Sequence, residues 1–208
     1  RVSSSAASDV YKRQREMFVQ TQKTPNPNSL KFIPGRPVSN NGPFEIVNKE
    51  DTKNTLLRNI LSINGVTGIF LGEDFLSVNK IDENNWDDMQ HIIISYINEY
   101  YAEGNKCIID KLGQNETDKN LNEIEKKIIH ILETKVRPAV ARDGGDIKFK
   151  EFVDGKVKVE LQGSCSGCPS STMTLKQGVQ NLLTHYVPEV KEVLACLLYT
   201  SPSPRDGW

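Results

Sequence analysis

The chain has 208 residues, of which 37% are hydrophobic and 25% are charged, and its formal net charge is −1 at pH 7. This composition is typical of a globular chain with room for one or two small domains. The balanced charge lacks the basic footprint of a nucleic-acid-binding protein, and no apolar run reaches the ~18 residues of a membrane-spanning helix. We therefore expect neither nucleic acid nor a membrane among its partners.

Two terminal segments differ in composition from the chain between them. Residues 1–16 are rich in Ser and Arg, and residues 194–208 contain a Ser-Pro-Ser-Pro run. Both resemble translated cloning adaptor, so we interpret them as a non-native leader and a non-native tail and leave them out of the fold prediction. The pattern of ordered elements begins at Met17, which has the look of a native start.

The first predicted domain spans residues 17–104 and opens with two short strand patterns. The first strand is predicted at 18–22 and the second at 30–33. Between them lies the sequence TPNPNS, whose two prolines exclude a helix and predict an extended loop.

The rest of this domain alternates between helix and hairpin patterns. Thr52 is the predicted N-cap of a short helix that continues through Leu61. Strand patterns at 65–71 and 75–79 are joined by Gly-Glu-Asp, which predicts a hairpin. Apolar residues at spacings of three and four over 86–100 then predict a longer helix with a buried stripe.

Residues 105–118 are polar and lack sustained periodicity, so they are predicted to form a flexible linker. The second domain, 119–193, begins with a helical pattern that Pro138 must end or kink. Strands are predicted at 147–152 and 156–161. A final helix is predicted to bury one apolar face, formed by Met173, Leu175, Val179, Leu182, Leu183 and Tyr186. The predicted fold class is therefore α+β, with two small domains that each pack a short antiparallel sheet against helices.

Cys165 and Cys168 form a C-x-x-C pair between the last predicted strand and the last predicted helix. This spacing allows one tight turn to direct two sulfurs at a single target. Pro169 suits the first helical position, and the free N–H groups of a first helical turn stabilise thiolates. A lowered thiol pKa serves metal ligation and disulfide exchange alike, so the spacing by itself does not choose between them.

Other residues with chemical potential stand alone in the sequence. The isolated cysteines are interpreted as incidental thiols and the single histidines as ordinary helix residues, namely Cys107, Cys196, His91, His130 and His185. Asp143 and Asp146 flank two glycines, which indicates a turn, with a role at a partner surface as the alternative.

A longer string of residues around the cysteine pair is a more specific family signature than C-x-x-C alone. It consists of DGGD at 143–146, LQGSCSGCPSS at 161–171 and VPEV at 187–190. This string closely resembles the C-terminal domain of the NifU and Nfu family of iron–sulfur carrier proteins. Residues 17–104, and above all 20–35, are similar to the N-terminal domain of Nfu-type proteins. The resemblance thus covers two consecutive segments in the order of that family.

The resemblance implies a scaffold or carrier, not an enzyme, that binds a [4Fe–4S] cluster through Cys165 and Cys168 and transfers it to apo-proteins. Because such clusters usually take four thiolates and one loop supplies two, we expect a homodimer that shares one cluster. Upstream cluster-assembly proteins and apo recipient proteins are the implied partners. The N-terminal domain is implied to recognise them.

Three alternatives use the same cysteine pair. They are a thiol–disulfide oxidoreductase, a zinc-bridged structural dimer and an electron carrier, the last of which would need four cysteines of one chain. The sparse cysteines favour a reducing compartment. A start at Met17 without a credible targeting segment favours a bacterial cytoplasm, with the mitochondrial matrix as the alternative.

Overall fold

The computed structural model describes residues 19–40, 42–108, 121–166 and 169–196. Within these residues the chain forms two α+β units, which confirms the predicted fold class. The elements are β1 (Gln20–Lys23), β2 (Ser29–Ile33), β3 (Phe44–Ile46), α1 (Thr55–Leu61), β4 (Val66–Leu71), β5 (Leu76–Lys80), α2 (Trp86–Ala102), α3 (Glu123–Ile131), α4 (Arg137–Arg142), β6 (Gly145–Val153), β7 (Lys156–Gly163), α5 (Pro169–Tyr186) and β8 (Glu192–Cys196).

Some of the predicted features lie outside the described residues. These are the leader at 1–16, Met17, the linker from residue 109 onward, Cys168 and the tail from residue 197 onward.

The first unit is an antiparallel sheet in the order β1-β2-β5-β4-β3. The predicted hairpin is present as β4 and β5, and the Gly72 N–H donates to the Phe75 carbonyl oxygen at 2.8 Å. Alternate residues of β2 and β5, including Phe32 and Val78, enter one buried core together with the apolar residues of α1 and α2. The edge strand β3 was not predicted, because three residues are too few to show an alternation.

The first helix begins two residues later than predicted. Asn54, not Thr52, is its N-cap, since the Asn54 side chain accepts a hydrogen bond from the Leu57 N–H. Thr52 instead accepts from the Asn54 N–H, one step upstream. Asn54 also donates to the carbonyl oxygen of the buried Ile108, so residues 105–108 pack against the first unit although they were predicted to start the linker.

The second unit is a sheet in the order β6-β7-β8. The predicted antiparallel pair is β6 and β7, and β8 adds a parallel strand that was not predicted. Parallel pairing is possible because α5 supplies the crossover connection. The pairing of β8 with β7 extends to Cys196, past the boundary expected at residue 193.

Helices α3, α4 and α5 complete the unit and share one buried core with its three strands. The chain from α3 to α4 stays helical through a π-helical turn at Leu132–Val136, just before Pro138. A wider turn there fits a proline, which has no N–H to donate to the preceding turn. In α5, Val179 and Leu183 are buried as predicted, whereas Met173 is 76% exposed and Tyr186 is also exposed.

Candidate functional site

The predicted cysteine pair lies in the loop that joins β7 to α5. We define residues 163–168 as the cysteine loop, since β7 ends at Gly163 and α5 begins at Pro169. Cys165 thus has the strand-to-helix position that the sequence predicted. Cys168 is outside the described residues, so the structure gives the geometry of the first cysteine alone.

A left-handed glycine starts the cysteine loop. Gly163 has φ +67°, and a Cβ on it would lie 2.6 Å from the Gly144 carbonyl oxygen. The Ser164 N–H donates to that same oxygen at 3.2 Å. The backbone N–H and the hydroxyl of Ser166 both donate to the Gly163 carbonyl oxygen, at 3.1 and 2.8 Å. Glycine is therefore required where the backbone turns under Cys165.

Cys165 is 6% exposed and packs against the start of β6. A Cβ built on Gly145 would lie 2.8 Å from its Sγ, so the glycine leaves the space that the sulfur occupies. Beside the sulfur is a cleft of about 390 Å³, whose lining includes Ala139 and Leu175 from the second unit and Pro25 and Asn26 from the first. Both units thus meet at the predicted ligand.

Asp146 is buried in an ion pair within the second unit. Its Oδ1 lies 2.8 Å from the Arg137 Nε, and its Oδ2 accepts from Nη2 of the same guanidinium at 3.2 Å. This paired geometry fixes the start of β6 to α4. Asp146 therefore lies on β6 and not in the predicted turn, and its carboxylate binds within its own unit. Asp143 is exposed and contributes to the lining of the cleft beside Cys165.

The four isolated residues whose side chains the structure describes do not join Cys165. Cys107 packs in the first unit, where its Sγ lies 3.6 Å from the Val38 carbonyl oxygen. His91, His130 and His185 are exposed helix residues. Within the ranges that the structure describes, no group of three or more His, Cys, Asp and Glu side chains is arranged to hold a metal ion.

Side chains of the first unit bind the backbone around Cys165, and the sequence reasoning did not identify them. Asn26 donates to the Ser164 carbonyl oxygen at 3.0 Å, and Asn79 donates to the Gly163 carbonyl oxygen at 3.2 Å. Glu45 accepts from the Gly163 N–H at 3.2 Å. Their positions in a loop and on strands gave no signal, because a polar residue on a sheet face is usually solvated.

The pKa of Glu45 reflects this contact. Burial raises its pKa, and the hydrogen bond from the Gly163 N–H offsets only part of that effect. The charge of Glu160 also raises the pKa, and the hydrogen bond from Ser166 and the charge of Lys148 do not restore it to the ordinary value.

Glu160 on β7 has the opposite balance. Burial on its own raises the pKa of Glu160, but the hydrogen bonds from Lys150 and Gln162, and the charge of Lys148, outweigh it and place the pKa below the ordinary 4.5. Lys150 forms an ion pair with Glu160 across the β6–β7 pair, and the Gln162 amide donates at 3.0 Å. These contacts stabilise the strand that leads into the cysteine loop.

We expect the stability of the second unit to fall in acid because of Glu160. A depressed carboxyl pKa adds stability above the ordinary value of 4.5, and this stability is lost as the pH falls through the pKa of the folded state. Urea midpoints measured from about pH 6 to about pH 3 should fall less steeply in Glu160→Gln, which should also be less stable at the upper end. Parallel curves for the two proteins would contradict this assignment.

Among the helices that the structure describes, none is both long and apolar enough to span a lipid bilayer.

Comparison with known families gives matches to both units. Residues 19–104 match the family described as scaffold protein Nfu/NifU N terminal, and residues 128–194 match the NifU-like domain.

Comparison with individual proteins gives matches that run through both units. NifU-like protein 5, mitochondrial, of Arabidopsis thaliana is 40% identical over 198 residues, which are 92% of this chain and 72% of that protein. The human NFU1 iron-sulfur cluster scaffold homolog, mitochondrial, is 41% identical over 86% of this chain and 72% of its own length. NifU-like protein 4, mitochondrial, of Arabidopsis thaliana is 42% identical, with 87% of this chain and 66% of that protein covered. The chain therefore spans between 66% and 72% of the length of these relatives.

Among solved structures, the solution NMR structure of a NifU-like protein from Saccharomyces cerevisiae is 27% identical. It covers 48% of this chain and 89% of that chain, with a TM-score of 0.43.

Proposed function

The chain belongs to the Nfu/NifU family of iron–sulfur cluster scaffold proteins, and from this premise we propose that it carries a [4Fe–4S] cluster on Cys165 and Cys168 and delivers it to apo-proteins. The observation that carries the proposal is the position of Cys165 in a glycine-turned loop just ahead of α5. The first N–H groups of a helix have no intrahelical acceptor and favour negative charge, which suits thiolates and an anionic cluster.

The number of available sulfurs supports a shared site. A [4Fe–4S] cluster takes four thiolates, and the cysteine loop offers Cys165 and Cys168. The one other cysteine whose side chain is described, Cys107, packs in the first unit. We therefore propose that two protomers related by a two-fold axis hold one cluster between their loops. A cargo held by two bonds per chain is suited to release.

Release requires thiolate exchange and no catalysis by the carrier. Each acceptor thiolate forms an Fe–S bond as the bond to Cys165 or Cys168 breaks. The acceptor thiol gives up a proton and the released cysteine takes one up, so the exchange balances without an oxidant or a reductant. The protein would act as a carrier and not as an enzyme.

The mitochondrial matrix is the location that we propose. The three relatives described above are named as mitochondrial proteins, which supports the alternative expectation from the sequence. None of these three names supports the bacterial cytoplasm.

Iron and acid-labile sulfide should each be present at about two per protomer after anaerobic reconstitution of the full chain, because one cubane is shared by two chains. The loaded protein should elute as a dimer in anaerobic size-exclusion chromatography. Iron and sulfide analysis of the same fractions gives the stoichiometry.

Other results would reject the proposal in distinguishable ways. About four iron and four sulfide per protomer would mean that one chain encloses the cluster. Bound zinc without iron would indicate a zinc-bridged dimer. A metal-free protein whose Cys165–Cys168 disulfide cycles readily would indicate thiol–disulfide exchange.

A further inference from the structure

One face of the first sheet is polar yet covered. A cross-strand row runs over four strands, in which Lys31 lies opposite Ser77, Ser77 opposite Phe70, and Phe70 opposite Glu45. The flanking residues on these strands point to the other face, into the core with α1 and α2. Even so, Lys31 is 8%, Ser77 0% and Phe70 1% exposed. We call this row, with Asn79 beside it, the polar sheet face.

The second unit covers the polar sheet face, mostly with backbone. The Lys31 ammonium donates to the Ala141 carbonyl oxygen at 3.0 Å, near the C-terminal end of α4, where a cation is favoured. Asn79 and Glu45 bind the carbonyl and the N–H of Gly163. In these bonds the first unit contributes side chains and the second unit contributes backbone groups, and the Ser166 side chain adds a hydrogen bond to Glu45. The face therefore fits the shape of this loop.

This interdomain contact is incompletely satisfied. Among the described residues, Ser77 Oγ and Asn79 Oδ1 are buried without a hydrogen-bond partner. Burial lowers the pKa of Lys31, although the charges of Asp74 and Asp143 partly offset it. Each unpaired buried polar group destabilises the contact, because the same group would form a hydrogen bond with water if the units separated. An interface that buries unpaired polar groups is weak enough for the two units to separate and dock again.

The contact also restricts access to Cys165. Gly163 and Ser164, which immediately precede it, are held by Asn79, Glu45 and Asn26. A Cβ on Gly163 would lie 2.8 Å from the Phe70 ring, so the first unit lies directly against the loop backbone. Pro25 and Asn26 of the first unit line the cleft beside Cys165, so the first unit also occupies space next to the sulfur.

We propose that the polar sheet face is a docking site for the cysteine loop of its own chain, and that docking and cluster-bridged dimerisation exclude each other. The inference rests on the proposed function, because it concerns the loop that holds the cargo. In the docked state Cys165 is shielded in a monomer. Release of the face exposes the sulfur to a second loop.

The test is the alkylation rate of Cys165 by iodoacetamide in the apo full chain. In the variant Lys31→Met with Asn79→Ala, three hydrogen bonds of the contact are lost, and the rate should rise about tenfold, since each such bond stabilises by a modest amount. Mass spectrometry with fragmentation separates Cys165 from Cys168. The matched control is Lys23→Met with Asn98→Ala, because Lys23 is exposed on β1 and Asn98 lies on α2, on the opposite face of the sheet. It should react like the wild type.

A second variant keeps the test decisive if the first unfolds, which circular dichroism would reveal. Glu45→Ala removes the acceptor of the Gly163 N–H and should also accelerate alkylation. Folded variants that react at the wild-type rate would overturn the docking proposal, even if iron analysis gives the shared stoichiometry. Faster alkylation in a protein that never binds iron would leave the docking intact and reject the carrier function instead.

Discussion

Cys165→Ser and Cys168→Ser are each expected to abolish cluster loading in anaerobic reconstitution. Loss of one sulfur per chain leaves a shared cluster with two of its four thiolates. Since the loss of an outer-shell group alone lowers metal affinity about 10–100-fold, the loss of a ligand should lower loading at least that much. Iron analysis and the visible absorption of the cluster measure the effect.

The matched control for these variants is Cys107→Ser. Cys107 packs near Val38 in the first unit, so its replacement should leave iron content at the wild-type level. Cys165→Ser should also cost about 1 kcal/mol of stability, because a buried hydroxyl is less favourable than a buried thiol, and the unit should still fold. A Cys165→Ser protein that keeps a full cluster would show that the ligand assignment is wrong.

Local patterns were enough to predict most of the elements. The β4–β5 hairpin was predictable because its turn residues and its alternation agree, and α2 because its apolar spacing is long and regular. The residue at which α1 begins was not predictable. Thr52 and Asn54 are both good N-cap residues, and the hydrogen bond from Asn54 to the Ile108 carbonyl oxygen favours Asn54. Such a contact comes from distant sequence and leaves no local sign.

The parallel strand β8 and the exposed residues of α5 show a second limit. β8 pairs with β7 after the crossover through α5. A five-residue sequence does not indicate which strand it will pair with. Met173 fits the apolar spacing of α5 but lies in its N-terminal part and is 76% exposed. Periodicity predicts which face of a helix is apolar, whereas the burial of each residue on that face depends on whether another element packs against it.

The site itself was predictable in part. A motif with glycines and a proline around two cysteines indicated the strand-to-helix loop and the position of Cys165. The covered face with Lys31 and Asn79 was not predictable, because a polar face under another domain and a polar face under water have the same alternation. Side chains that bind backbone also need no particular partner residue in the sequence.

Gly145→Ala is expected to destabilise the second unit by about 2–3 kcal/mol, the upper part of the range of about 1–3 kcal/mol that is typical of overpacking in a well-packed core. Its new Cβ would lie 2.6 Å from the Gln162 carbonyl oxygen and 2.8 Å from the Cys165 Sγ, closer than van der Waals contact allows. Gly145 pairs with Gly163 in the β6–β7 register, so the strands cannot separate there without disturbing the cysteine loop. Thermal unfolding should show a midpoint lowered by roughly 10 °C or more, at about 4–8 °C for each kcal/mol.

Gly178→Ala provides a control with the same chemical change and the opposite sign. Gly178 is helical in α5, and nothing lies within 4 Å of the Cβ it would gain, so the substitution should raise stability by about 0.5–1 kcal/mol. The two variants share the loss of glycine's backbone freedom and differ in the space around the added methyl group. If Gly145→Ala melted like Gly178→Ala, the sulfur of Cys165 would not rest against β6. The loop would then hold Cys165 in a different position, and the cleft between the two units would not lie beside its sulfur.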